Sequence, residues 1–322
     1  MKKTLKNLLA PVLFLAVVLG IGFLPKEASL TAQAYVDNVS SSSISQTGQT
    51  KNTLTIRWSP SEDAVKYRLY ILNSDDYDGD YAYVGETTSP NFTFKNLKSG
   101  TEYNTRIVSV DATGEESYPT TKYGNLFTLP GSVSGFKQER WYYFAKSIWL
   151  EWDKQTGVSG YEVSLYNAKG KKVKQKKTTS DWITFDISSN QVYTAKIRAY
   201  TTINGKTYYG STAKTYCITQ ARVRSARLAN KKLTIKWNKV PGATGYDIYV
   251  STKKNSGYKK VKSVSAKTTS CTITKFNKKK LTKKRYYVYV ETKKKVGKKT
   301  YKSNALYAWQ SNSSSNSYTY LD

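Results

Sequence analysis

Three times along the chain, apolar residues alternate with polar ones and the run ends on a tryptophan: Leu54, Ile56, Trp58; Ile148, Leu150, Trp152; Leu233, Ile235, Trp237. Period-two alternation places such residues on one face of a strand. Nine residues after each tryptophan a tyrosine opens a second alternating run: Tyr67, Leu69, Ile71; Tyr161, Val163, Leu165; Tyr246, Ile248, Val250. A further tyrosine, Tyr103, Tyr193 or Tyr286, follows the tryptophan by 41 to 49 residues, behind Leu97, Ile187 or Leu281 and a short turn. A leucine, a turn and a tyrosine leading a strand is how a β-sandwich crosses between its sheets, the buried hydroxyl tying down the corner. Thr113-Gly114, Asn204-Gly205 and Val296-Gly297 then mark a closing hairpin in each copy.

The tryptophans lie 94 and 85 residues apart, which sets an internal repeat of sandwich size. No long segment has helical apolar spacing, so the expected fold class is all-β: three tandem immunoglobulin-like β-sandwiches in a rod. The nine core aromatics are Trp58, Tyr67, Tyr103, Trp152, Tyr161, Tyr193, Trp237, Tyr246 and Tyr286. In this arrangement the residues resemble the fibronectin type III family. Leu97-Lys98-Ser99-Gly100-Thr101-Glu102-Tyr103 departs from the family corner mainly in Ser99, which replaces proline. Ile187 to Tyr193 departs most, having no glycine. Val240-Pro241-Gly242-Ala243-Thr244-Gly245-Tyr246 is similar to lysine-rich modules of Gram-positive surface proteins. The expected organisation is 1–34 signal peptide, 35–130, 131–220 and 221–309 as the three domains, and 310–322 as a flexible Ser/Asn-rich tail.

The signal peptide rests on Lys2, Lys3 and Lys6, an apolar stretch from Leu8 to Leu24, and Ala32-Gln33-Ala34 as cleavage site. Retention as an N-terminal anchor is the alternative, since the stretch is just long enough to span a bilayer. After cleavage no membrane span is expected, and the protein is expected to be secreted and associated with the surface of a Gram-positive bacterium. Cys217 and Cys271 are too few for a disulfide framework and are expected to be separate buried thiols.

Charge changes the picture most. Lys and Arg against Asp and Glu number 8 and 12 over residues 35–130, 14 and 6 over 131–220, and 26 and 3 over 221–322. The gradient runs from −4 through +8 to +23. Sandwich topology assigns the lysines to loops. Lys253, Lys254, Lys259, Lys260 and Lys262 flank the C–C′ connection. Lys278, Lys279, Lys280, Lys283, Lys284 and Arg285 occupy E–F at the same pole, and Lys293, Lys294, Lys295, Lys298 and Lys299 take F–G at the other. Such a cluster concentrates polyanions, so an anionic wall polymer or a sulfated glycan is the expected partner. A basic surface that merely keeps the domain soluble is the plain alternative, against which stands the acidic first copy.

Smaller constellations add candidates. Asp76, Asp78 and Asp80 sit in a dense carboxylate loop that suits calcium or an ordinary turn. Trp141, Tyr142 and Tyr143, with Trp149 pointing away from the core, are candidates for a glycan or protein contact, or for packing against a neighbouring domain. The chain has no histidine, which excludes histidine triads and histidine metal sites. No nucleophile elbow or phosphate loop is present. The expected protein is therefore a non-enzymatic binding or adhesion protein without cofactors and without specific nucleic-acid recognition. The alternative is a structural spacer or matrix subunit acting through protein contacts.

Overall fold

The computed structural model describes residues 35–76, 78–139, 147–203, 205–312 and 318–320. The signal-peptide assignment lies outside them. Apart from a short 3-10 turn at Ser41–Ser43, the described elements are strands, paired antiparallel throughout. The chain is all-β and builds tandem β-sandwiches.

The first sandwich comprises β1 (Ser45–Gln49), β2 (Leu54–Arg57), β3 (Lys66–Asn73), β4 (Ala82–Thr87), β5 (Asn91–Phe94), β6 (Glu102–Val110) and β7 (Thr120–Phe127). One sheet has the order β1-β2-β5 and the other β4-β3-β6-β7. Leu54, Ile56, Trp58, Tyr67, Leu69, Tyr103 and Ile107 meet between them, as the alternation requires.

The second comprises β8 (Lys137–Gln138), β9 (Ser147–Glu151), β10 (Gly160–Tyr166), β11 (Lys172–Thr178), β12 (Trp182–Asp186), β13 (Val192–Ile203), β14 (Lys206–Tyr209) and β15 (Ala213–Ile218). Its sheets are β12-β9-β8 and β11-β10-β13-β14, with β15 on the upstream half of β13. The third comprises β16 (Val223–Ala229), β17 (Lys232–Trp237), β18 (Gly245–Ser251), β19 (Lys259–Ser265), β20 (Ser270–Ile273), a small hairpin of β21 (Lys275–Phe276) and β22 (Lys279–Lys280), β23 (Tyr287–Val296), β24 (Lys299–Lys302), β25 (Tyr307–Gln310) and β26 (Tyr318–Tyr320). Its sheets are β16-β17-β20 and β19-β18-β23-β25-β26, with β24 on the far half of β23. Cys217 and Cys271 are buried free thiols in the second and third cores respectively.

Of the stretch expected as a flexible tail, the structure describes residues 310–312 and 318–320, and these are hydrogen-bonded to the third sandwich. Ser311 N–H donates to Tyr286 O at 2.7 Å, Asn312 N–H to Ala226 O at 2.8 Å, and Leu228 N–H to Asn312 Oδ1 at 2.8 Å. Tyr318–Tyr320 then pairs with β25 as an edge strand. Serine and asparagine side chains supply hydrogen bonds to backbone here, which composition alone does not convey.

Each sandwich repeats one aromatic unit. The strand-opening tyrosine stands edge-on to the tryptophan, with ring centroids at 5.2 Å for Trp58–Tyr67, 5.2 Å for Trp152–Tyr161 and 5.6 Å for Trp237–Tyr246. Its phenol oxygen accepts a backbone N–H from the turn six residues upstream: Ser61 at 3.2 Å, Gln155 at 2.7 Å and Val240 at 2.8 Å. The corner tyrosines hold the opposite connection. Tyr103 Oη accepts from Lys98 N–H at 2.8 Å, Tyr193 Oη donates to Ser189 O at 2.8 Å, and Tyr286 Oη accepts from Thr282 N–H at 3.3 Å.

These two fastened loops make the joints between sandwiches. The turn after β9 lies on the corner of the first sandwich: Gly157 N–H donates to Gly100 O at 3.0 Å and Glu102 N–H to Thr156 Oγ1 at 3.2 Å. Gly100 holds φ +62°, and a Cβ on Gly157 would stand 2.7 Å from the Thr101 carbonyl carbon. The turn after β17 lies on the corner of the second sandwich, where Val192 N–H donates to Pro241 O at 2.9 Å. Buried Gln220 adds an amide clamp, Nε2 donating to Tyr307 O at 2.9 Å and Oε1 accepting from Leu306 N–H at 2.9 Å.

Tyr246→Phe leaves the buried Val240 N–H without its acceptor and is expected to cost about 1–3 kcal/mol, measured as a loss of amide-exchange protection in β17 and β18. Gly157→Ala forces a methyl group against backbone that cannot move cheaply. It is expected to uncouple the first two sandwiches, so that calorimetry shows separate transitions where the unaltered chain shows a shared one.

Candidate functional site

The basic cluster is built by register. In the third sandwich Ser251, the end of β18, pairs with Tyr287, the start of β23. The connection carrying Lys253 and Lys254 therefore leaves the sheet beside the corner carrying Lys283, Lys284 and Arg285. Lys278 lies in the β21–β22 turn with positive φ, and Lys279 and Lys280 form β22 on the same approach to the corner. All these side chains are exposed.

Of the remaining lysines assigned to loops, Lys298 lies in the turn between β23 and β24, and the others lie in strands. Lys259, Lys260 and Lys262 lie within β19, Lys293, Lys294 and Lys295 within β23, and Lys299 within β24. β19 is the edge of its sheet. An edge strand leaves its long cationic side chains free to reach water while their stems cover apolar surface, and lysine there also discourages edge-to-edge pairing. Val261 and Val264 supply the inward contacts of this strand.

One carboxylate interrupts the positive field. Asp247 is 2 % exposed and receives Lys293 Nζ at 2.6 Å and Ser263 Oγ at 2.5 Å on Oδ1, with Lys260 Nζ 3.8 Å from Oδ2. Burial alone would raise its pKa. The hydrogen bonds from Lys293 and Ser263, with the charges of Lys293 and Lys260, outweigh burial and hold the carboxyl below the usual range. Among the described residues, Lys253, Lys254, Lys259, Lys262, Lys278, Lys279, Lys280, Lys283, Lys284 and Arg285 have no acidic group within ion-pair distance.

The same face carries an aromatic group that sequence reasoning missed. Tyr249 and Tyr289 stack at 4.7 Å with planes 13° apart, and Tyr258 packs on Tyr289 at 5.0 Å. Burial, then neighbouring tyrosines, push the Tyr258 and Tyr289 phenols up. Tyr249 and Tyr289 are the outward members of two alternating runs, a signal available from their register opposite each other. Tyr258 comes from the connection and had none. In the second sandwich, the exposed edge strand β11 brings Lys172, Lys174, Lys176 and Lys177 together in the same position as β19.

Of the aromatic candidates, Trp141, Tyr142 and Tyr143 lie outside the described residues. Trp149 stands on the outer face of β9, between buried Ile148 and Leu150, and stacks on the half-exposed Trp182 at 5.1 Å and 29°. Asp76, Asp78 and Asp80 belong to the loop between β3 and β4. No group of three metal-ligating side chains converges among the described residues. Asp76 and Asp80 line a groove that also holds Arg106, whose guanidinium lies 3.8 Å over the Tyr81 ring. A fixed positive charge there opposes a divalent cation. No helix among the described residues is long and apolar enough to cross a membrane.

The fold and these corners define a tandem β-sandwich protein. Residues 39–123 match the fibronectin type III domain model. The second and third sandwiches repeat the tryptophan–tyrosine pair and the corner hydrogen bond of that segment. The chain is similar to the FN1-FN3 domains of chicken CNTN1, at 15% identity over 81% of this chain and 97% of that one, TM-score 0.33. It is also similar to a two-domain fibronectin type III segment of chicken tenascin, at 22% identity over 55% of this chain and 97% of that one, TM-score 0.29. No curated protein matches the chain.

Asp247 gives a signed pH prediction. Its folded pKa is depressed, so its contribution is fully present above the unfolded value of about 3.9 and is lost as pH falls through the lower folded value. Amide protection factors in β18 and β23, taken relative to the intrinsic exchange rate at each pH, should therefore fall on acidification below about pH 4 in the native protein. Asp247→Asn is expected to lose about 1–3 kcal/mol at neutral pH and to show a flatter acid response.

Proposed function

We propose that the chain is an exported, non-catalytic binding protein whose third sandwich docks on an anionic polymer, either a teichoic-acid-type wall polymer or a sulfated glycan. The observation that supports this reading is the exposed group at one end of the third sandwich: Lys253, Lys254, Lys278, Lys279, Lys280, Lys283, Lys284 and Arg285, brought side by side by the Ser251–Tyr287 register and without carboxylate partners. Fixed cations without counter-charges repel one another, and a polyanion relieves that repulsion while releasing its own counterions. The field weakens toward the first sandwich, whose residues 35–130 carry net −4, so attachment is polar. The half-buried cluster of Tyr249, Tyr258 and Tyr289 beside β19 adds aromatic surface next to these cations.

A second reading, a structural spacer or extracellular-matrix subunit, is favoured by the hydrogen-bonded joints and by the half-exposed Trp182 stacked on Trp149. Fibronectin type III modules suit either an extracellular binding or a structural protein.

Binding of the chain to immobilised wall teichoic acid and to heparin, at two salt concentrations, tests the reading. With six or more ionic contacts, affinity is expected to fall about 10³-fold for a fourfold rise in salt. Replacing Lys253, Lys254, Lys278 and Lys279 together with glutamine should abolish binding and leave folding intact. Salt-resistant binding, or binding unchanged in that variant, would overturn it.

A further inference from the structure

Both internal joints are made by equivalent parts. The two residues that stand fourth and fifth after the sheet tryptophan form the turn that docks: Thr156-Gly157 after Trp152, and Pro241-Gly242 after Trp237. Each lies against the corner of the sandwich before it, Gly100 to Glu102 in one case and Val192 in the other. Where docked, the corner is covered: Gly100, Thr101 and Val192 are buried.

One turn and one corner are left over. After Trp58, the fourth and fifth residues are Glu62 and Asp63, both exposed. In the third sandwich the corner residues Lys283, Lys284 and Arg285 are likewise exposed. Among the described residues nothing covers either surface and neither makes an ion pair. The unused turn is acidic and the unused corner is basic, on sandwiches of opposite net charge.

We propose that these two surfaces bind each other between copies of this chain, the Glu62-Asp63 turn of one copy seating on the Lys283-Lys284-Arg285 corner of the next. The contact is heterologous, using different patches on the two partners, so it does not close at a dimer and grows head to tail. It also differs in kind from the internal joints. The internal turn needs glycine at position 157 because its backbone touches the corner backbone, whereas Asp63 carries a side chain there. The third corner is one residue shorter between its leucine and tyrosine, five positions from Leu281 to Tyr286 against six from Leu97 to Tyr103. Carboxylates and long cations therefore bridge a gap that backbone closes internally, and the contact is salt-sensitive where the internal joints are not. Lys283, Lys284 and Arg285 are shared with the polymer-docking group, which also takes in Lys253, Lys254, Lys278, Lys279 and Lys280, so an anionic polymer competes with this contact.

Sedimentation equilibrium of the full chain over a range of concentrations, at low and high salt, tests the proposal. The expected result is average mass rising past that of a dimer at low salt and collapsing to monomer at high salt. Glu62→Lys with Asp63→Lys, or Lys283→Glu with Lys284→Glu and Arg285→Glu, should each lower the association constant by about tenfold or more. All five reversals in one chain, or an equimolar mixture of the two variants, should restore growth. Circular dichroism of these surface variants confirms that they fold. Monomer at every concentration, mass that stops at a dimer, or growth indifferent to both reversals would each overturn the proposal. Growth that the Glu62→Lys, Asp63→Lys variant strengthens would overturn it too, as the mark of bridging by a contaminating polyanion.

Discussion

Six buried phenol groups, two in each sandwich, carry the hydrogen bonds on which the rest of this structure depends. A connection between sheets exposes backbone donors and acceptors that no strand can satisfy, and burying one unmet costs more than an ordinary hydrogen bond returns. Tyr67, Tyr161 and Tyr246 meet that need in the turn after the tryptophan, and Tyr103, Tyr193 and Tyr286 in the corner. Each ring also fills core volume, so one side chain fixes a loop to the hydrophobic interior. The two loops fixed this way are the two that meet at the joints. Interior packing thus reaches the contacts between neighbouring sandwiches through a pair of hydroxyls.

With the interior committed in this way, the outward positions are free to change. The third sandwich keeps Leu233, Ile235, Trp237, Tyr246, Ile248 and Val250 in its core, the same pattern as the first, while its surface moves from acidic to strongly basic. Lysine is tolerated there on the connections, on the edge strand β19, on the hairpin of β23 and β24, and on the outer face of β17. Asp247 shows the limit of that freedom. It sits inside the sheet's outer face at the one place where Lys260 and Lys293 converge across three strands, and without it two cations would face each other over a buried position.

The cores, the repeat and the corners were legible because each is written locally, in alternation and in fixed offsets from a tryptophan. Trp149 was legible too, since Ile148 and Leu150 claim the inner face. The placement of Lys259 and Lys293 was not, because strand length decides whether a lysine lies in a loop or on an edge, and polar residues carry no periodic signal. The Tyr258–Tyr289 contact and Gln220's clamp on Tyr307 depend on how a connection folds back. That Arg106, distant in sequence, lines one groove with Asp76 and Asp80 was not legible from the loop itself. Asn312 looked like tail until its amide met Leu228.

The joints explain why glycine and acid trade places along one structural position. At Gly157 a side chain would strike the Thr101 carbonyl, so the docking turn of the second sandwich is confined to the smallest residue. At Gly242 the neighbours are the Val192 and Ala168 side chains, at 3.0 and 3.2 Å from a built Cβ, and the constraint is of the same kind. The matching residue of the first sandwich, Asp63, meets no sandwich within its own chain and is released from that limit. The corner of the third sandwich is released in the same sense, since no turn from the described residues presses on Thr282 to Arg285. Sterics therefore set the residue wherever a joint is internal, and charge is free to set it at the two surfaces left open, where the chain carries opposite signs.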